Sequence, residues 1–301
     1  MKNLFLLLIL LSVIFSASLA IAKHHGLAEP CAKMQDAEAQ AVLDIVHDAV
    51  ALVELKGEAA FNEFSLSQSK WRRGDAYVFV HDLNGKLLCN GGFPQMVGKN
   101  MYGFRDVIGK PSVKFMIEQV TQSQRKDGWV HYLWPVPGKI EPKWKSTYVH
   151  LAKGPNNKKY VVAMGIYDVP TEPCFVAQQV DNAVRLLQAE GLNGFGALRD
   201  RLGPFIWKGA YVYVFGYDGI MYVNPGKPLL EGINVIKLMD ESGVKPFVEM
   251  LEAAEPQQGR WVEYFWPKPA EHRARKKHAY VKRISIDGKD YVVGCGLYLA
   301  E

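Results

Sequence analysis

The stretch GWVHYLWP (residues 128–135) is written again as GRWVEYFWP (residues 259–267), with Trp, Val, Tyr, Trp and Pro in the same order. Four of the seven tryptophans of the chain lie in these two phrases. The alternation of aromatic and other residues is typical of β-strands, in which aromatic side chains are favoured. A rare combination that occurs twice points to an internal repeat, so the rest of the chain is best compared with itself.

Three further pairs of phrases recur in the same order and at a nearly constant spacing. AYVFVHDLNG (76–85) returns as AYVYVFGYDG (210–219). KSTYV (145–149) returns as KHAYV (277–281), and YVVAMGIY (160–167) returns as YVVGCGLY (291–298). The small drift in spacing is what short insertions and deletions produce. The chain therefore contains two versions of one domain, over residues 23–170 and 171–301, joined at the proline-containing stretch 168–173.

Each repeat shows the same predicted order of elements: helix, two strands, helix, three strands. Apolar residues at helical spacing predict the helices, and each of the two longest ends at a glycine. The predicted helices are 36–57 and 112–122 in the first repeat, and 176–191 and 245–254 in the second. Turns such as Asp82-Leu83-Asn84-Gly85 predict hairpins, and short connections make a sheet of about five strands mostly antiparallel. The expected fold class is α+β.

The N-terminal residues 1–22 have the pattern of a secretory signal peptide. A lysine at position 2 precedes an apolar core at residues 4–15, and Ala20-Ile21-Ala22 fits the small-residue cleavage site, which predicts cleavage before Lys23 and a periplasmic or secreted protein. The alternative is an uncleaved anchor, because residues 3–22 carry no charge and a stretch of about 20 apolar residues is enough to cross a bilayer.

Four cysteines are present, at Cys31, Cys89, Cys174 and Cys295, and none forms a C-x-x-C pair. Zinc ribbons and thioredoxin motifs are therefore not expected. An exported protein permits disulfides, and the sequence leaves all three pairings open, as well as four unpaired residues.

Composition and motifs exclude several classes of function. With 49% hydrophobic and 22% charged residues, the chain is a folded protein, and its net charge of +5 is too mild for nucleic-acid binding. An enzyme is not predicted, because G-x-S-x-G, H-E-x-x-H and paired metal clusters are all missing from the sequence. No cofactor or metal is expected, and His24-His25 is interpreted as part of a tail near the predicted cleavage point.

The order of elements and phrases resembles that of Cache sensor domains. The residues that carry the resemblance in the first repeat are Tyr77-Val78-Phe79-Val80 with Gly85, Gly98-Lys99-Asn100, Gly128-Trp129-Val130 with Tyr132, Trp134 and Pro135, Lys145 with Tyr148-Val149, and Gly165-Ile166-Tyr167. In the second repeat they are Tyr211-Val212-Tyr213-Val214 with Gly219, Gly232 with Asn234, Trp261-Val262 with Tyr264, Trp266 and Pro267, Lys277 with Tyr280-Val281, and Gly296-Leu297-Tyr298.

This resemblance implies two tandem extracytoplasmic modules with a PAS-like sheet, of the kind found in bacterial chemoreceptors and sensor kinases. It implies a sensory protein that binds a small molecule and signals through a membrane receptor or kinase. The family often has His-Pro at the end of its second strand, where this chain has Asn90-Gly91 and Asn224-Pro225. Nothing follows Glu301 in this sequence, so a transmitter would have to belong to a partner.

A small carboxylate is the favoured ligand, because the repeated residues include a cation, hydrogen-bond donors and aromatic walls. The predicted site residues are Tyr77, Asn90, Tyr132, Trp134, Lys145 and Tyr148 in the first repeat, and Tyr211, Asn224, Tyr264, Trp266, Lys277 and Tyr280 in the second. Alternation along a strand places Lys145 and Tyr148 on opposite faces, so both can line one pocket only with a bulge between them or with Lys145 ahead of the regular strand. The alternative function is a structural or interaction module whose aromatic residues form a closed core.

Overall fold

The computed structural model describes residues 34–122 and 126–299. Each repeat folds into an α+β domain with an N-terminal helix, an antiparallel six-stranded sheet and a further helix. This confirms the predicted fold class. The predicted signal peptide, His24-His25 and Cys31 lie outside the described residues.

The first repeat contains these helices and strands: α1 Ala37–Lys56, α2 Phe61–Phe64, β1 Arg72–Arg73, β2 Ala76–Asp82, β3 Leu87–Asn90, α3 Ser112–Thr121, β4 Asp127–Pro135, β5 Pro142–Lys153 and β6 Lys159–Tyr167. The second repeat contains α4 Pro173–Glu190, α5 Phe195–Arg199, β7 Ile206–Trp207, β8 Ala210–Gly216, β9 Met221–Val223, α6 Pro246–Ala253, β10 Arg260–Pro267, β11 Ala274–Ile286 and β12 Lys289–Tyr298. The proposed boundary between the repeats falls between β6 and α4.

Both sheets have the same strand order. It is β1-β2-β6-β5-β4 in the first repeat, with β3 also paired to β2, and β7-β8-β12-β11-β10 in the second, with β9 also paired to β8. Because side chains alternate along a strand, one face of each sheet packs against the long N-terminal helix, α1 or α4, and the other against α3 or α6. The two faces of each sheet therefore contact different helices and belong to separate apolar clusters.

The first helix begins and ends where its sequence predicts. The Asp36 carboxylate accepts hydrogen bonds from the backbone amides of Glu38 and Ala39 and so caps the N-terminus. Gly57 follows the last turn at φ +58°, a conformation that costs glycine little. Between these caps, an apolar stripe packs against the sheet.

The turn between β2 and β3 requires its glycine. Gly85 has φ +84°, and a Cβ atom at this position would lie 2.7 Å from the backbone nitrogen of Tyr102. The chain after β3 can therefore run directly beneath the turn, where Met101 donates a backbone hydrogen bond to the Gly85 carbonyl. This close approach brings residues 101–111 over one face of the sheet.

The two repeats share one core. Helix α4 of the second repeat lies beside β4, the edge strand of the first sheet, and Gln178 bonds to both the amide and the carbonyl of Trp129. Phe175 packs on the Trp129 ring at 4.9 Å between centroids. An edge strand leaves backbone groups unpaired, and here a side chain from the next domain satisfies them.

A second set of contacts joins the repeats near the start of α3. The ammonium of Lys110 donates to the carbonyl oxygens of Gly203 and Ile206, the latter at 2.8 Å. The His131 imidazole stacks on the Trp207 indole, with 4.8 Å between ring centroids and 10° between planes. Residues 101–111 are thus fixed to the second repeat at their C-terminal end.

The cysteines are not all alike. Cys89 and Cys295 are free and buried, whereas Cys174 is disulfide-bonded. Within residues 34–122 and 126–299, no helix is both long enough and apolar enough to cross a membrane.

Candidate ligand-binding site

A cavity lies in the first repeat between the sheet and α3. Its lining consists of aromatic and aliphatic side chains with a few polar groups: Tyr77, Phe79, His81, Leu87, Asn90, Met96, Met101, Ser112, Val113, Met116, Tyr132 and Trp134. The space not filled by protein atoms is about 330 Å³, part of it open to solvent.

Polar groups at the cavity are hydrogen-bond donors that remain neutral. Burial raises the pKa of the Tyr77 and Tyr132 hydroxyls, so both stay protonated at neutral pH. Burial also lowers the pKa of His81 to about 4, so its imidazole is uncharged. The Ser112 hydroxyl is fully buried and finds no hydrogen-bond partner in the part of the chain that the structure describes.

Lys145 borders this cavity from the neighbouring strand. It pairs with Tyr132 across β4 and β5, it is only 1% exposed, and its Nζ finds no hydrogen-bond partner among the described residues. The Nζ lies 4.0 Å from the centroid of the Tyr77 ring and 4.9 Å from that of Tyr167. Burial holds the pKa of this ammonium well below its usual range.

A glycine makes room for this lysine. Gly165 on β6 lies beside β5, and a Cβ atom there would come within 2.8 Å of Lys145 Cε and still closer to the Thr147 hydroxyl. Gly296 has the same relation to Lys277 in the second repeat, with 2.5 Å to Cε. Both glycines belong to the repeated G-x-Y ending of the last strand, which therefore helps to position the buried lysine.

Residues 101–111, here called the cover loop, close one side of the cavity. The Asp106 carboxylate accepts hydrogen bonds from the backbone amides of Ile108, Lys110 and Leu133, the last at 2.9 Å on strand β4. Met101 lines the cavity, and Phe104 packs edge-on against Trp134 at 5.4 Å. The loop is thus held by one buried carboxylate and rests on the indole that forms the cavity wall.

The structure brings together most of the predicted site residues of the first repeat. Tyr77, Asn90, Tyr132 and Trp134 line the cavity, and the Asn90 side-chain oxygen also accepts the amides of Gly92 and Phe93. This use of Asn90 is a turn cap, and it occupies the side-chain oxygen rather than the NH2 group.

Tyr148 and Tyr280 require a correction. No bulge interrupts β5 or β11, so alternation places Tyr148 on the face opposite Lys145, where it packs beneath α1 with its hydroxyl 3.2 Å from His47 Nε2. Tyr280 faces α4 in the same way, and its hydroxyl accepts the Gly259 amide. Neither tyrosine belongs to the pocket side of its sheet.

In the second repeat, the remaining predicted residues also lie on one face. Tyr211, Tyr264 and Trp266 belong to the core between the sheet and α6, and Asn224 lies at the end of β9. Lys277 is 1% exposed, like Lys145, but its Nζ lies 3.3 Å from the Tyr211 hydroxyl, which can accept a hydrogen bond.

The two repeats differ at positions that line the cavity. Where the first has Phe79, His81, Ser112 and Val113, the second has Tyr213, Phe215, Pro246 and Phe247. The Tyr213 hydroxyl donates to the Met250 sulfur at 3.4 Å, and the Phe215 and Phe247 rings pack edge to face at 5.3 Å. Larger side chains thus pack on one another in the second repeat at the positions that surround empty space in the first.

The sequence reasoning missed Ser112 and the carboxylate that holds the cover loop. Asp240 of the second repeat accepts the Phe265 amide at 2.9 Å, as Asp106 accepts that of Leu133. The sequence did contain a signal for this carboxylate, because Asp-x-x-Gly occurs at 106–109 and again at 240–243. The two copies are separated by the same number of residues as the AYV phrases that begin β2 and β8. Nothing in the sequence distinguished Ser112, because its importance comes from the lack of a partner.

Comparison with known proteins gives a consistent family. The family model described as Single Cache domain 2 matches residues 33–167 and, separately, residues 178–301. Among curated proteins, the methyl-accepting chemotaxis protein McpP of Pseudomonas putida is 29% identical over 100 residues, which is 33% of this chain and 18% of that protein. The present chain therefore spans less than a fifth of the length of that relative.

Several solved sensor domains are similar over one or both repeats. The periplasmic sensor domain of a chemotaxis protein is 27% identical and covers 44% of this chain and 92% of its own, with a TM-score of 0.34. A Cache chemosensory domain described for carboxylic acid recognition is 23% identical over 44% of this chain and 95% of its own, with a TM-score of 0.36. The periplasmic sensory domain of the Campylobacter jejuni chemoreceptor Tlp1 is 9% identical over 86% of both chains, with a TM-score of 0.27.

Proposed function

This chain belongs to the Single Cache domain 2 family, with one matching domain in each half, and on that premise we propose that it is a sensory protein whose first repeat binds a short-chain monocarboxylate. The proposal is for binding without chemical conversion. It rests on the cavity of the first repeat and on the lysine beside it.

One observation carries the proposal, namely the ammonium of Lys145. It is buried beside the cavity and has no hydrogen-bond partner in the described chain. Aromatic rings lie next to this ammonium, but a buried cation without a hydrogen-bond acceptor or an anion is still costly, and proteins usually pair it. A ligand carboxylate would provide the missing anion and would restore the ordinary pKa of the lysine, because the opposite charge favours the protonated form.

The polar groups favour a single carboxylate over an amino acid. Among the described residues that line the cavity there is no aspartate or glutamate to hold the ammonium of an amino acid or an amine. The available groups are instead the hydroxyl of Ser112 and the amide of Asn90, which can donate to carboxylate oxygens. The Tyr132 hydroxyl lies 2.9 Å from Thr147 Oγ1 and can donate to a ligand while it accepts from that threonine.

The remainder of the lining defines the rest of the ligand. Phe79, Leu87, Met101 and Met116 offer apolar contact, which favours a ligand with a short apolar tail. Lys145 is next to the cavity rather than within its lining, and the Tyr77 ring borders both. We infer that the carboxylate reaches the ammonium past this ring, which needs only a side-chain rotation.

The site of action is proposed to be outside the cytoplasm. The predicted signal peptide supports an exported protein, either released by cleavage or anchored by an uncleaved N-terminal helix. A membrane receptor or kinase is the proposed partner. The cover loop supports such signalling, because it closes the ligand cavity and is bonded to the second repeat through Lys110.

A second function is proposed for the second repeat alone. Tyr213 and the Phe215–Phe247 pair make side-chain contacts at positions equivalent to those that line the cavity, and Lys277 has a hydroxyl partner. These contacts favour a structural or interaction module over a second ligand site. The second repeat would then support the cover loop and present a surface to the partner.

Titration calorimetry of the full protein against acetate, propionate, pyruvate, alanine and ethylamine tests the proposal. We expect one carboxylate site per chain, no binding of the amine, and loss of binding in Trp134→Ala but not in Trp266→Ala. Loss in Trp266→Ala alone would move the site to the second repeat. Binding of the amine, or no binding of any carboxylate, would refute the proposal.

A further inference from the structure

Three potential metal ligands meet on the face of the first sheet opposite the cavity. They are His47 on α1, Asp127 at the start of β4 and His150 on β5. One ligand atom from each lies within 4.8 Å of the other two. Donor atoms around a tetrahedral zinc ion are about 3.3 Å apart. Side-chain rotations that move the donor atoms by about 1–2 Å would therefore close the site around an ion.

The carboxylate of this cluster has an oxygen without a partner. Asp127 is 6% exposed, and its Oδ1 finds no hydrogen-bond partner within the described parts of the chain. It pairs directly with His150 across β4 and β5, so both side chains point to the α1 side of the sheet. A buried carboxylate oxygen without a donor or a cation is unfavourable, and such groups usually pair or coordinate metals.

The second repeat shows what occupies the equivalent place there. Asp181 is the equivalent of His47, because each lies ten residues before the glycine that ends its helix, Gly191 or Gly57. Lys282 is the equivalent of His150, because each lies two residues after the repeated tyrosine, Tyr280 or Tyr148. Asp181 and Lys282 form an ion pair at 2.8 Å with only 10% and 14% of their side chains exposed. The second repeat therefore supplies its own cation at this position, and the first repeat has imidazoles instead.

We propose that His47, Asp127 and His150 bind a divalent transition-metal ion of the zinc class. Two imidazoles and a carboxylate are the ligands that such ions accept, and a water molecule can complete four-coordination. The Nδ1 of His150 lies 3.1 Å from the Leu151 carbonyl oxygen, and an N–H at this position would orient Nε2 for coordination. The ion ties α1 to two strands and takes the place of the Asp181–Lys282 ion pair.

This inference is independent of the carboxylate cavity, which lies on the other face of the sheet. The matched variant is H47D/H150K, which installs the ion pair of the second repeat and so should retain the fold without a metal. D127N is a second variant that preserves shape and removes only the charge. H24A/H25A controls for zinc bound by the two adjacent histidines near the N-terminus.

Full-length protein stripped with a chelator would be titrated with Zn²⁺ in competition with a chromophoric chelator, and bound zinc would be measured after gel filtration. We expect about one tightly held ion per chain in the parent protein and in H24A/H25A, and about tenfold or greater loss of affinity in D127N and H47D/H150K. Zinc should raise the melting temperature of the parent but not of H47D/H150K.

Two results would overturn the proposal. One is the absence of stoichiometric zinc binding by the parent protein. The other is equal binding by the parent and by a folded H47D/H150K or D127N variant, as judged by circular dichroism.

Discussion

Replacement of Lys145 by methionine should make the empty protein more stable while it destroys the ligand site. The Lys145 side chain is 1% exposed and its Nζ is without a hydrogen-bond partner among the described residues. Methionine fills nearly the same volume and carries no charge. The variant therefore removes the cost of a buried, unpaired ammonium and retains the packing against the Tyr77 ring.

The expected gain in the free energy of unfolding at neutral pH is about 1–3 kcal/mol, the cost that mutational data assign to a buried polar group without a partner. For a chain of this size each kcal/mol corresponds to about 2–4 °C in melting temperature. This gain in the free energy of unfolding should become smaller as the pH rises. The unfolded chain keeps the lysine proton up to the ordinary pKa near 10.5, whereas the folded protein releases it at lower pH. The free energy of unfolding of the parent therefore rises with pH over that interval, and in Lys145→Met this rise disappears.

Ligand affinity should move in the opposite direction. Loss of a charge-assisted hydrogen bond costs about 1.5–3 kcal/mol, so the dissociation constant for propionate should increase by about 10-fold to 100-fold. Because the carboxylate raises the pKa of Lys145 back toward its usual range, binding to the parent should take up a proton at pH values between the lowered pKa of the empty protein and the pKa of the complex. Calorimetry in two buffers of different ionisation enthalpy measures this uptake.

Lys277→Met is the matched control. Lys277 is equally buried but its Nζ has the Tyr211 hydroxyl as a partner, so its replacement leaves a buried hydroxyl without that contact and should give little or no gain. It should leave propionate affinity unchanged. If Lys145→Met melts at a lower temperature than the parent in the absence of ligand, or binds propionate as tightly, the role assigned to the unpaired ammonium is wrong.

Three further outcomes are expected. Val113→Phe, which places in the cavity the residue type found at the equivalent position of the second repeat, should weaken propionate binding by about tenfold or more; calorimetry that shows unchanged affinity would argue against the cavity as the site. Burial lowers the pKa of His81 to about 4 and the pKa of His131 to about 3. The free energy of unfolding should therefore decrease as the pH falls from 6.5 toward 4, by up to about 1.4 kcal/mol per pH unit for each histidine. A free energy of unfolding that stays constant across this pH range in urea titrations would contradict this prediction. Cys89 and Cys295 should resist thiol labelling in the native, unreduced protein because both are buried, and should react once the protein is denatured; labelling of either residue in the native state, as detected by mass spectrometry, would refute this.

The sequence was sufficient for the architecture because each repeat confirms the other. The recurrence of Trp129 and Trp134 as Trp261 and Trp266 established the register of the two domains, and local signals such as Asp36 and Gly57 set helix ends. Strand alternation also identified the conflict between Lys145 and Tyr148. The unbroken register of β5 places Lys145 on the face of the sheet that borders the cavity and Tyr148 on the opposite face.

The rest of the site depends on distances that no pattern contains. Whether Lys145 or Lys277 has a partner is decided by the position of one tyrosine hydroxyl, and the lack of a partner for Ser112 follows from the packing around the start of α3. The larger residues of the second repeat were visible in the sequence. Their effect on the cavity became apparent only when the structure placed Phe215 and Phe247 in contact.

The bonds between Gln178 and Trp129 have a consequence for how the molecule unfolds. Separation of the repeats would expose the indole of Trp129 and the ring of Phe175 and would leave the backbone of an edge strand open to other chains. Heat should therefore melt both halves in one cooperative transition, with equal calorimetric and van't Hoff enthalpies, although the chain was built from two similar units. Either half expressed by itself should aggregate, since each carries half of a common interior.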